Sequence, residues 1–260
     1  MKKRLAYAIV PLVIFSGACT FPMADNKQAE KVEQPSSKTK SETSDVMVLE
    51  GKYFNAIEAV NGKKVISNPD NLLVLVNKHN TLPGHYEPKD LTVPNVPFSF
   101  GDADIPQKYV REPAARALES LFKGAKDSNL ELFAVSGYRS YDRQENILNQ
   151  EIAAKGEEKA EEAVASPGQS EHQTGLAMDI SSKSVNMELV KEFGDTPEGK
   201  WVKENAYKYG FVVRYLNDKV AVTEYKFEPW HLRYVGKKTA KTLHDKNLTL
   251  EEYFDQVKKL

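Results

Sequence analysis

The sequence predicts an α+β domain in which a mainly antiparallel sheet is flanked by helices. Three observations carry that prediction. Ala114, Leu118, Leu121, Phe122 and Ala125 recur at helical spacing. Residues 132–135, LFAV, read as a strand that ends in the turn SGYRS. Residues 211–215, 221–227 and 230–235 (FVVRY, AVTEYKF and WHLRYV) read as consecutive strands, the first two joined by the turn LNDK.

In chain order, residues 71–78 (NLLVLVNK) are a short apolar run. Four prolines then fall within residues 81–98, and with the Pro-Gly turn they favour an extended arm over regular structure. After the helix around 114–125 and the strand at 132–135, a helix is expected from about 141 to 154. A second is expected over 157–165, stopped by Pro167 and Gly168. In SEHQTGLAMDI, residues 170–180, period two puts Leu176, Met178 and Ile180 on one face and Ala177 and Asp179 on the other. The ordinary reading is a half-buried strand with its polar side in water. The sharper one is that Asp179 and His172 converge on a metal ion.

Trp201, Val202, Ala206 and Tyr209 mark a further helix, with Gly210 placed as its stop. In the last strand Trp230, Leu232 and Tyr234 share a face, leaving His231 and Arg233 on the other. Thr249 and Glu252 have capping-box spacing near the C-terminus.

At 260 residues, with 36 basic against 37 acidic side chains, the chain offers no general electrostatic argument for nucleic acid, and no such partner is expected. The start, MKKR followed by an apolar run from 5 to 15, reads as an export signal over residues 1–18. That run is shorter than the about 20 apolar residues a bilayer span needs. Cys19 is the only cysteine. Its placement resembles a bacterial lipobox, in which the cysteine is acylated, although Ser16 stands where leucine is usual. The alternative is ordinary cleavage nearby, leaving an incidental cysteine. Residues 19–45 are rich in Lys, Glu, Ser, Thr and Gln and read as a flexible tether. Residues 46–260 read as one folded domain, expected to be monomeric and anchored by lipid at the outer face of the cell membrane.

Of the five histidines, His79, His85 and His244 are expected at the solvated surface. His172 and His231 each lie beside a carboxylate and a strand whose polar face they can share. Imidazole nitrogen and carboxylate oxygen are both good zinc ligands, and a catalytic zinc normally takes three protein ligands. His172, Asp179 and His231 would supply them. Glu228 is then the natural general base, set on an extended or turning backbone because Pro229 disfavours helical geometry before it. Spacing alone makes H-x6-D with E-x-x-H a weak signal.

The residues also carry a resemblance. SEHQTGLAMDI matches the S-x-H-x-x-G-x-A-x-D pattern of the VanY-type D-alanyl carboxypeptidases, and EPWHLRYVG is similar to their second zinc motif. Segments at 75–91, 136–144 and 209–215 also resemble this family, in particular its single-domain L,D-carboxypeptidases of the bacterial wall. The resemblance covers about 71 to 236. It implies the zinc-peptidase fold shared with hedgehog-type domains, with Zn2+ on His172, Asp179 and His231 and Glu228 as catalytic base. Arg139 aligns with an arginine that binds substrate near the reacting carbonyl or terminal carboxylate. Ser170, Gln144 and Tyr215 align with polar residues lining the peptide site. Residues 216–226 (LNDKVAVTEYK) depart from the acidic, glycine-containing turn of the family.

The activity so implied is removal of the terminal D-alanine from peptidoglycan stem peptides, with the L,D bond of tetrapeptides favoured over the D,D bond of pentapeptides. A wall-peptide endopeptidase and a metal-containing wall-binding module without turnover remain as alternatives. An arginine clamping a terminal carboxylate argues against the first, and Glu228 beside the metal argues against the second.

Overall fold

The computed structural model describes residues 46–260. The export signal, the tether and Cys19 lie outside the described residues. Among the described residues no helix is long and apolar enough to cross a membrane.

The described residues begin with β1 (Val48–Leu49), β2 (Ile57–Val60), β3 (Lys63–Ile66), β4 (Leu91–Thr92) and β5 (Val110–Arg111). Next come α1 (Glu112–Asp127), β6 (Phe133–Ser136), α2 (Tyr141–Lys155), α3 (Glu157–Ala163) and β7 (Ala177–Ser181). The remainder is α4 (Pro197–Asn205), β8 (Phe211–Tyr215), α5 (Val220–Thr223), β9 (Glu228–Tyr234), α6 (Lys237–Lys246), α7 (Leu250–Gln256) and β10 (Lys258–Lys259). The expected α+β class holds. Its centre is a four-stranded antiparallel sheet in the order β6-β7-β9-β8.

Local chemistry explains most of these elements. Pro113 sits in the first turn of α1, where its missing N–H costs nothing. That helix buries Ala114, Leu118, Leu121, Phe122 and Ala125 along one side. In the same core cluster Leu176, Met178, Ile180 and Leu232 supply the sheet's contribution, together with Phe193 and Phe211. Each such side chain, taken fully out of water, contributes roughly 1.5–3 kcal/mol. The capping box is formed: Thr249 accepts from the Glu252 backbone and Glu252 from the Thr249 backbone, starting α7. Gly210 ends the helical turn before β8 with φ 93°.

Two expectations are corrected. Residues 221–227 do not form a strand. Residues 217–219 make a 3-10 turn, α5 follows, and Glu224 closes it in the left-handed region at φ 60°. Tertiary contacts override the β-branched composition. Lys219 pairs with Glu252 at 2.9 Å, and the loop carries the Tyr225 ring to 4.7 Å from that of Tyr215. Consequently β9 is not the third strand of a meander but lies between β7 and β8. The strand at 177–181 also has no side in water, because all five of its residues are buried.

Candidate metal centre

Sheet register builds the site. Asp179 on β7 faces His231 on β9 as a direct cross-strand partner, which brings their side chains within reach of one another. At the start of β9, Glu228 faces Tyr215 across a register shift in β8. Such irregularities re-aim side chains beside active sites. His172 arrives from the 3-10 turn Glu171–Thr174, which ends at Gly175 in the left-handed region, φ 66°. A Cβ at Gly175 would lie 2.9 Å from Leu91 and Arg111 atoms, so the turn needs glycine twice over.

The three residues converge. One donor atom from each of His172, Asp179 and His231 lies within 4.8 Å of the others, and all three residues are buried. His172 Nε2 is 3.3 Å from Asp179 Oδ2, and His231 Nδ1 is 2.9 Å from Asp179 Oδ1. Donor atoms this close could share one ion, since zinc takes such ligands at ~2 Å.

The partners of the outer nitrogens test whether these residues fit a metal. His172 Nδ1 donates to the Gly137 carbonyl at 2.8 Å, which frees Nε2 as a lone-pair donor. His231 Nε2 lies 3.3 Å from Glu171 Oε2, which frees Nδ1. Outer hydrogen bonds of this kind orient metal-bound imidazoles and set their tautomers. Two imidazoles and one carboxylate around a buried point are also a donor set that suits a divalent cation such as zinc. The site is capable of holding Zn2+.

Electrostatics fit the same reading. Burial opposes a charge on Asp179, but His172 and His231 more than offset it and hold the carboxyl well below the usual range. Burial also opposes a proton on His231, yet the Asp179 and Glu171 carboxylates reverse this and raise it to about 9. The metal-free site therefore keeps a proton on His231 at neutral pH, which an incoming cation displaces. Burial is the main cause of the rise of Glu228 to about 7; Asp179 and Glu171 add to it, while His231 and Arg139 oppose it. A carboxyl near 7 is well matched to base catalysis at neutral pH.

The other sequence-predicted residues lie around the same cleft, which has a volume of about 140 Å3 and is lined by Arg139, Gln144, Ser170, Tyr215 and Glu228 with the three ligands. Arg139 donates to Gln144 Oε1 at 2.9 Å and to Ser136 Oγ at 3.3 Å. Gln144 in turn donates to the Ala165 carbonyl at 2.7 Å, so it braces the guanidinium as well as lining the cleft. The Tyr215 ring lies 5.0 Å from that of His231. Burial raises its phenol well above the ordinary value and keeps it a hydrogen-bond donor. His79, His85 and His244 are exposed and take no part.

Sequence reasoning missed two residues here. Tyr225 lines the cleft and donates to the Gln169 carbonyl at 3.2 Å; the strand assigned to its segment hid it. Glu171 is fully enclosed behind His231. Its signal was a carboxylate immediately before a candidate ligand histidine, in the polar run 169–174.

Comparison with known proteins agrees with this geometry. The VanY family, D-alanyl-D-alanine carboxypeptidase, matches residues 107–237. The chain is 56% identical over 237 residues to YodJ of Bacillus subtilis strain 168, which is named provisionally as a carboxypeptidase; 91% of this chain and 86% of that one are covered. In structure it is similar to the LdcB LD-carboxypeptidase, with a TM-score of 0.80, 58% identity, and 83% of this chain and 100% of that one covered. It is also similar to the D,D-pentapeptidase VanY of a VanB-type resistance cassette, solved with Zn(II). There the TM-score is 0.57 and the identity 32%, with 70% and 98% of the two chains covered.

Proposed function

The chain belongs to the VanY family of D-alanyl-D-alanine carboxypeptidases, and on that footing we propose a zinc-dependent carboxypeptidase acting outside the cytoplasm. It removes the terminal D-alanine from peptidoglycan stem peptides and prefers the L,D bond of the tetrapeptide. The observation that carries the preference is the 58% identity with an LD-carboxypeptidase, over 83% of this chain and the whole of that one.

His172 Nε2, an Asp179 oxygen and His231 Nδ1 would hold the ion, which when bound would supply a Lewis acid for the scissile carbonyl and the attacking water. Glu228 is placed to take a proton from the attacking water and to return it to the departing amine of D-alanine. Arg139, braced by Gln144 and Ser136, holds the terminal carboxylate through its planar fork. Ser170 and Tyr215 meet the peptide from the cleft wall. These groups are largely buried, which strengthens their interactions with developing charge.

Defined tetrapeptide and pentapeptide stems, incubated with the purified protein, test the reading through released D-alanine. Faster release from the tetrapeptide is expected. Faster release from the pentapeptide would overturn the L,D preference, and no release from either would overturn the activity.

For location, Cys19 is acylated and holds the enzyme at the outer membrane face. This is supported by the apolar leader and the lone cysteine at its end. Cys19→Ser protein is expected in the soluble fraction; membrane association equal to wild type would remove the anchor from that residue.

A further inference from the structure

The catalytic reading leaves the buried carboxylate of Glu171 unused. Glu171 is 1% exposed, and its two oxygens face different partners. Oε1 accepts from Arg214 Nε and Arg233 Nη1, both at 2.8 Å. Oε2 lies 3.3 Å from His231 Nε2.

The arginines are themselves fastened. Arg214 forks onto Glu251 of α7 at 2.8 and 2.6 Å. Arg233 donates to the Val74 carbonyl at 2.8 Å. With Oε1 occupied by the two guanidiniums, Glu171 turns Oε2 to the His231 ring as a hydrogen-bond acceptor.

We infer that Glu171 is the positioning residue of the metal centre: fastened by Arg214 and Arg233, it accepts from His231 Nε2 and so turns the Nδ1 lone pair toward the ion. The two ligand imidazoles are thereby set in opposite senses. His172 offers Nε2 because its Nδ1 is tied to a neutral carbonyl. His231 offers Nδ1 because its Nε2 is tied to a carboxylate. The charged acceptor makes His231 the more basic ligand. This assignment rests on His172, Asp179 and His231 being the metal site.

Zinc competition with a chelator, on the full chain, gives the test. Glu171→Gln keeps the size and an acceptor oxygen but removes the charge, and zinc affinity should fall by ~10–100-fold. Glu251→Gln unpairs Arg214 from its other carboxylate without touching His231, and should leave zinc affinity unchanged. Equal losses in the two variants would make Glu171 merely part of the ion-pair network. Undiminished zinc binding in Glu171→Gln would also overturn the assignment.

Nitrogen-15 spectra of the wild-type imidazoles give a second reading that needs no variant to fold. In the zinc-loaded protein, His231 should show a protonated Nε2 and a metal-bound Nδ1; binding through Nε2 would refute the role of Glu171. A wild-type protein that takes up no zinc would instead refute the metal site itself.

Discussion

Replacing Glu228 with glutamine should reduce turnover by ~10²–10⁴-fold, the loss typical of a missing general base, while zinc stays bound. The side chain keeps its size and a carbonyl acceptor, and none of the three ligands is altered. Stem peptide should still bind, because Arg139 and the cleft wall are unchanged. The pH profile gives an independent readout. A base works only as the carboxylate, so wild-type activity should fall as pH drops through the pKa of Glu228. In the metal-free protein that value is about 7, and a nearby cation draws it lower. The acid limb therefore lies at or below about pH 7 and should vanish in the residual activity of Glu228→Gln.

Stability should move the other way. A carboxyl whose pKa is raised on folding destabilises the fold once pH exceeds its unfolded value, because the buried site disfavours the charge. Removing that charge should raise the melting temperature of the metal-free protein at neutral pH, a cost of the kind functional sites commonly carry. If Glu228 only propped up His231, the variant would instead bind zinc more weakly, and added zinc would restore activity. Such rescue would refute the catalytic role.

His172→Ala should all but abolish metal binding, by well over the ~100-fold that loss of an outer hydrogen-bond partner costs. Two donors then remain where a catalytic zinc needs three. Thermal unfolding with and without chelator reads this directly. Wild type should lose stability when zinc is withdrawn, by about 2.7 kcal/mol if the free metal had stood at 100 times its dissociation constant. The variant should unfold at the same temperature with or without chelator. It also loses the bond from Nδ1 to the Gly137 carbonyl, so a modest fall in stability relative to metal-free wild type, about 1 kcal/mol, is expected as well. Full zinc occupancy in this variant would sink the assignment of the site.

The candidate metal ligands were legible through the resemblance of two short segments to the family's motifs: His172 and Asp179 share one eleven-residue stretch and His231 lies in EPWHLRYVG, whereas their spacing alone was a weak signal. The helices at 112–127 and 141–155 followed from spacing and turn chemistry in the same way. What stayed hidden depends on distant contacts. Nothing local turns residues 221–227 away from a strand; Lys219 meeting Glu252 and Tyr225 stacking near Tyr215 do so. The part played by Glu171 needs Arg214, Arg233 and Glu251 from three later elements. The hairpin β2–β3 is a different case. Its Asn61-Gly62 turn, with both φ positive, was a readable signal passed over in a weakly patterned region.

Asp179 and His231 occupy the two inner strands of the sheet, each hydrogen-bonded on both flanks. Amide protons there can exchange with solvent only when the whole sheet opens, so the backbone around these two residues should be the slowest in the molecule to take up deuterium. The edge strand carrying Tyr215 and the loop carrying Tyr225 should exchange sooner. The backbone beneath the metal site is thus the best-protected part of the cleft, and its rim the least.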